Sequence, residues 1–267
     1  MNGFKLLIFL IALGVSFNGW SDSRINGTPT KTSGKVHVTV ASDDWPPLLT
    51  KGPNPDDTPV GFIADFFKYA NAIQSKFDFE VVVMPFPRIQ REVAHGNVDV
   101  VAMKNLAWMG DLDLTSSDPV LHSGDVYIAL DKPGRTQAFF QAKRERHWVG
   151  VNGYHYGFAN FNSDVDFLSK NFKIQLVTDN ASVIHMILRG RGEAGVVPET
   201  VLTHFIESER VEKGALLIGD AYDSTYTLSH LLRNKGPVNA EQMNEIIFQL
   251  QQSGKLQMLI DKVTLKR

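Results

Sequence analysis

The sequence predicts an α/β protein of two consecutive units, and three observations carry that expectation. From Val36 to Met103, β-branched runs alternate with amphipathic stretches in the order β, α, β, α, β, and the same rhythm returns from Trp148 to Ser208. Alternating, strand-like stretches run from Gly124 to Leu130 between the units and from Thr225 to Leu232 after the second. The connections are short, as in parallel sheets covered by helices on their faces. With 267 residues, 43% hydrophobic and 21% charged, the chain can fill two lobes, each with its own core. A formal net charge of -2 gives no footprint for nucleic acid.

The elements follow in order. Lys5 precedes an apolar run from Leu6 to Val15, and small and polar residues continue to Ser21. This is the pattern of a secretory signal peptide over residues 1–21, with an apolar core shorter than the roughly 20 residues of a membrane span. Residues 22–35, rich in Gly, Thr, Ser and Pro, read as a flexible leader. The chain has no cysteine to carry a lipid, so the expectation is a protein released unanchored into the periplasm.

The first strand, Val36 to Ala41, stops at Asp43, Asp44, Trp45, Pro46 and Pro47, where two prolines forbid further ladder pairing. Phe62, Phe66, Ala70 and Ile73 share one stripe of a helix from Phe62 to Ile73. A strand at Phe79 to Met84, a helix at Arg88 to His95 stopped by Gly96, and a strand at Val98 to Met103 complete the unit. The second unit reads as strands at Trp148 to Val151, Lys173 to Val177 and Ala194 to Val197, with part of a helix at Val165 to Asn171 and helices at Ala181 to Arg189 and Thr200 to Ser208. Two helical stretches, Val238 to Gln251 and Leu256 to Val263, end the chain. Residues 36–123 thus form lobe 1 and 124–224 lobe 2, while 225–267 return to lobe 1 with the C-terminal helices.

Several short motifs resemble those of the bacterial extracellular solute-binding proteins of family 3, associated with polar amino-acid uptake. They include Trp45-Pro46-Pro47, Gly61 to Phe66 (similar to G-x-x-x-D-[LF]), and Pro85 to Arg88 followed by Gly96 to Asp99. Thr115 to Pro119, the Val149 to Gly153 strand and turn, and the closing Gln249 to Ile260 helix fit the same order. The resemblance implies a two-lobed type II periplasmic-binding-protein fold, each lobe a mostly parallel sheet flanked by helices and joined by a two-strand hinge. A ligand would be held in the interlobe cleft. It also implies a membrane permease or receptor as partner, a monomer, and no cofactor. Family members commonly place an arginine about nine residues before the proline of the S-x-P element to hold a ligand carboxylate. Here Trp108 to Asp113 offers no arginine and two acids, which leaves Arg88 or Lys104 to replace it, or a ligand not anchored by a carboxylate.

The candidate ligand-binding residues lie where strands end, since open α/β sheets present their crevice there. Asp44 and Trp45 follow the first strand; Lys104, Asn105 and Trp108 follow the third. Each tryptophan either stacks on a ligand or plugs the end of the core. Arg88 is an anion clamp or a structural partner of Asp99 or Glu92. Tyr154 stands in a glycine-punctuated turn able to offer aromatic faces to a ligand. Glu199 matches the family's carboxylate for a ligand amino group, or else compensates the start of a helix.

Enzyme signatures are absent: there is no G-x-S-x-G elbow, phosphate loop or H-E-x-x-H, and the histidines lack metal-ligand spacing. The function expected is solute capture for an ABC-type uptake system. The alternatives are a ligand sensor docking on a membrane receptor and a periplasmic dehydratase or lyase using Glu199 or Glu193.

Overall fold

A computed structural model describes residues 34–52, 54, 57–209, 211–212 and 214–265. The expected signal peptide and nearly all of the leader lie outside these residues.

The first unit comprises β1 (Val36–Ser42), α1 (Phe62–Ile73), β2 (Phe77–Val83), α2 (Phe86–His95) and β3 (Val100–Lys104). After the first long strand, β4 (Leu114–Leu130), come β5 (His147–Val151), α3 (Val165–Asn171), β6 (Lys173–Val177), α4 (Asn180–Leu188), β7 (Ala194–Pro198) and α5 (Glu199–Ser208). A second long strand, β8 (Leu216–Arg233), leads to α6 (Ala240–Gln252) and α7 (Lys255–Ile260).

Helix ends follow local chemistry. Asp164 and Asp179 accept the Phe167 and Ser182 amides at the starts of α3 and α4, and Asn239 forms a capping box with Gln242 on α6. Gly96 closes α2 in the left-handed conformation at φ 80°. At Gly61, φ is 121° and a Cβ would lie 2.6 Å from the Pro47 carbonyl, so glycine alone lets the loop after β1 press against α1.

Strands β2, β1 and β3 pair in parallel, as do β6, β5 and β7. Where the sequence suggests separate sheets, all eight strands join one ladder in the order β2-β1-β3-β8-β4-β7-β5-β6. The cause is the length of the connectors. Strands β4 and β8 run antiparallel from Leu114↔Arg233 to Leu130↔Leu216, and several register shifts absorb Pro119 and the crossing. Periodicity marks only their C-terminal parts, Gly124 to Leu130 and Thr225 to Leu232, of the longer strands observed.

The halves keep separate cores, each with both sheet faces covered. Val38, Val40, Val100 and Ala102 pack with α1, α6 and α7, whereas Ala41 and Val101 pack with Ile89 and Val93 of α2 on the other face. In the second half Trp148, Ala194 and Val196 pack toward α3, while Val149 and Val197 pack toward α4 and α5. The expected helix Phe62 to Ile73 appears with the predicted bounds, and Val165 to Asn171, expected as part of a helix, is the whole of α3.

Candidate functional site

The ends of β1 and β3, the loop after β5 and the middle of the β4-β8 pair enclose a cleft of about 730 Å³. Asp44, Trp45, Lys104, Asn105, Trp108 and Tyr154 all line it. Arg88 and Glu199 do not. Arg88 is exposed on α2, its Nε 3.7 Å from Glu92, which corresponds to the structural alternative. Glu199 is buried at the start of α5, where it accepts a hydrogen bond from the Tyr222 hydroxyl at 2.9 Å. Glu193 immediately precedes β7 and accepts the amide of His147, the first residue of β5, at 2.9 Å.

Backbone strain sets one wall. Met103 sits at φ 53° beside a register shift in the β3-β8 ladder, a conformation costing on the order of 1 kcal/mol or more for a non-glycine residue. It breaks the alternation of β3, sending Met103 into the core and the next side chain, Lys104, to the cleft. Lys104 is 4% exposed, its Nζ 2.5 Å from Asp43 Oδ1 and 4.5 Å from the Trp45 ring centre. Burial lowers its pKa, and Asp43 opposes that shift. Asn105 then caps the short turn at Leu106–Trp108 by accepting the Ala107 amide at 2.9 Å.

Trp45 packs against the first core and also lines the cleft. Trp108 is 42% exposed and does not plug the core. Its ring lies 6.4 Å from that of Trp45 and 5.5 Å from that of Tyr226, edge to face with the latter. Across the cleft, Phe161 follows Asn160 in the left-handed region, at φ 59° and φ 53°, and exposes more than half of its surface at the cleft.

The floor centres on a residue outside the sequence-based candidates. Asp125, 3% exposed in β4, accepts hydrogen bonds from the Tyr154 and Ser224 hydroxyls, both at 2.7 Å. Burial pushes its pKa up to about 6, against those two donors. Burial likewise raises Tyr154, with the Asp125 charge adding to it, so the phenol stays a donor. Asp125 and Ser224 face each other in the β4-β8 register next to Gly124, where a Cβ would meet the Ser224 carbonyl at 2.4 Å. Polar residues within an alternating strand read as its solvent face, so only the G-D step at Gly124-Asp125 hinted at the close crossing.

No family model and no curated protein matches this chain. Solved structures do, and they define the fold as that of the type II periplasmic binding proteins. An ABC-transporter binding component from Wolinella succinogenes, complexed with lysine, is 16% identical with a TM-score of 0.62, the match covering 87% of this chain and 97% of that one. An amino-acid ABC transporter extracellular-binding protein from Bacillus subtilis gives 12% and 0.64 over 86% and 97%. An ancestral amino-acid-binding protein described as a precursor of cyclohexadienyl dehydratase gives 20% and 0.60 over 86% and 95%. No helix of the described residues is long and apolar enough to cross a membrane, and no group of three or more His, Cys, Asp or Glu among them is placed to hold a metal ion.

Proposed function

We propose that this chain is an exported solute-binding protein that captures a small molecule in the cleft and delivers it unchanged to an ABC-type permease. The observation that carries this reading is the cleft itself. It lies at the strand ends and across the β4-β8 pair, is lined by indoles and phenols, and is large enough for a metabolite of ordinary size. The folds matched belong to binding components of transporters, which supports the same reading. Residues 36–123 with 225–267 act as one lobe and 124–224 as the other. The separate cores let them move as bodies, with β4 and β8 as the bending pair. The protein works as a monomer in the periplasm after losing residues 1–21.

The precursor relationship of one matched structure, and a cleft carboxyl whose pKa burial pushes up to about 6, favour a second reading as an acid-base enzyme. In this structure Asp125 would be its acid or base, since neither Glu199 nor Glu193 lines the cleft.

A thermal-shift screen over amino acids, amines, organic acids and sugars tests capture, because a bound solute raises the midpoint by mass action. At least one class raises it, and Trp108→Ala removes the rise. Mass spectrometry of the recovered solute separates the readings. An unchanged mass supports transport, and loss of water or another fragment supports the enzyme.

A further inference from the structure

We propose that the cleft takes a small organic cation, its charged nitrogen against the Asp125 carboxylate and its carbon frame on the Trp108 and Tyr226 rings. The inference rests on the solute-capture reading and names its ligand class.

Charge counting comes first. The lining holds the carboxylates of Asp43, Asp44 and Asp125 against one ammonium, Lys104, so it is two charges negative when all are ionised and His155 is neutral. Lys104 is not free to hold an anion, because Asp43 sits 2.5 Å from it on the same wall. With Arg88 turned away on α2, no second cation of the described residues reaches the cleft. An anionic solute would enter against this field.

The second observation is the state of Asp125. Its two hydroxyl donors, Tyr154 and Ser224, satisfy part of the carboxylate, yet no basic side chain of the described residues forms an ion pair with it. A carboxylate 3% exposed without a counter-charge is costly to ionise, and a ligand ammonium or guanidinium supplies that charge in a water-poor place. Around it stand Tyr156 from the loop after β5, and Tyr226 and the Asp223 carboxylate from β8; the nearby cation Lys143 interacts with Asp223 and forms no ion pair with Asp125. The aromatic walls complete the match, since cations and the C–H bonds beside them are attracted to indole and phenol faces. Nothing in this arrangement requires a carboxylate on the ligand.

The test is calorimetry, with tryptophan fluorescence beside it, at about pH 7.5. The probes are choline, putrescine, agmatine and phenethylamine, with uncharged phenethyl alcohol and glucose and anionic glutamate. At least one cation binds in the micromolar range, and Asp125→Asn weakens it by about 30-fold or more. Lowering the pH to about 5 weakens wild-type binding by about ten-fold, as Asp125 takes up a proton. Tyr154→Phe removes a donor from the carboxylate and moves that pH midpoint upward, so the assignment remains testable if Asp125→Asn fails to fold. Cation binding that survives Asp125→Asn, or is indifferent to pH between those values, overturns the proposal. So does tighter binding of an uncharged or anionic probe, although binding of that kind lost in Trp108→Ala would sustain solute capture. Silence from all three charge classes counts against capture as well.

Discussion

Asp125 and His230 are both buried titratable groups on the long crossing strands, β4 and β8, and their surroundings are opposite. His230 is fully buried between the rings of Phe66, 4.5 Å away, and Phe67, 4.9 Å away. Neither of its ring nitrogens has a hydrogen-bond partner among the described residues, and burial pushes its pKa down to about 3. Asp125 has two hydroxyl donors and faces a cleft, and burial pushes its pKa up to about 6. The comparison teaches that burial alone does not mark a site. The imidazole serves as a flat apolar filler, held neutral by its surroundings. The carboxylate has been given donors and open space.

The two groups pull stability in opposite directions with pH. His230 binds its proton less readily folded than unfolded, so its contribution is present above about pH 6.5 and is lost as pH falls toward 3. That loss amounts to as much as about 5 kcal/mol, with about 3 kcal/mol of it gone by pH 4. Urea unfolding from pH 7 to 4 checks it through His230→Phe, which keeps a flat ring and removes the titration. The variant should lose the acid slope, and parallel profiles would break the comparison. Asp125 acts the other way. Its folded pKa is raised, so stability is greatest below about pH 4 and falls as pH rises through 6, at a cost of up to about 3 kcal/mol. Asp125→Asn is therefore expected to raise unfolding stability at pH 7 by up to that amount while losing solute capture, with the gain vanishing below about pH 4. Between pH 4 and 6 the slopes oppose, so the wild-type profile is flatter there than that of either variant.

Smaller effects sharpen the contrast. Lys104 and Asp43 form an ion pair buried on one side and open on the other, the Asp43 side chain being 30% exposed. A double-mutant cycle with Lys104→Met and Asp43→Asn should give a coupling of about 1 to 2 kcal/mol, below that of a fully buried pair. Arg88→Ala removes an exposed partner of Glu92 away from the cleft, and should leave both the thermal midpoint and solute affinity where they are.

Much of the fold was legible because both halves obey simple periodicities, with both faces of the central strands apolar and helix stripes clear from Phe62 to Ile73. The reach of β4 was hidden by Pro119 and by the polar run at Thr115 to Ser117, and the ladder shifts register between Ser116 and Leu121. The cleft was partly legible because strand ends mark it, which locates Trp45, Lys104, Asn105 and Trp108. Asp125 and Tyr226 are not legible because they sit within long strands, where a polar or aromatic residue has no sequence signal for facing a cavity. Arg88 and Glu199 show the converse: both begin helices beside strand ends, and the direction of a side chain there is fixed by partners such as Glu92 and Tyr222 that lie four and 23 residues away in sequence.

Hydrogen exchange read by mass spectrometry, with and without the tightest-binding solute, tests the central claim most directly. Solute capture in the cleft predicts protection gathered in the segments around Asp43 to Trp45, Lys104 to Trp108, Asp125, Gly153 to Phe161 and Ser224 to Tyr226. Protection confined to the α5 side of the second core, or spread evenly over the chain, would contradict it.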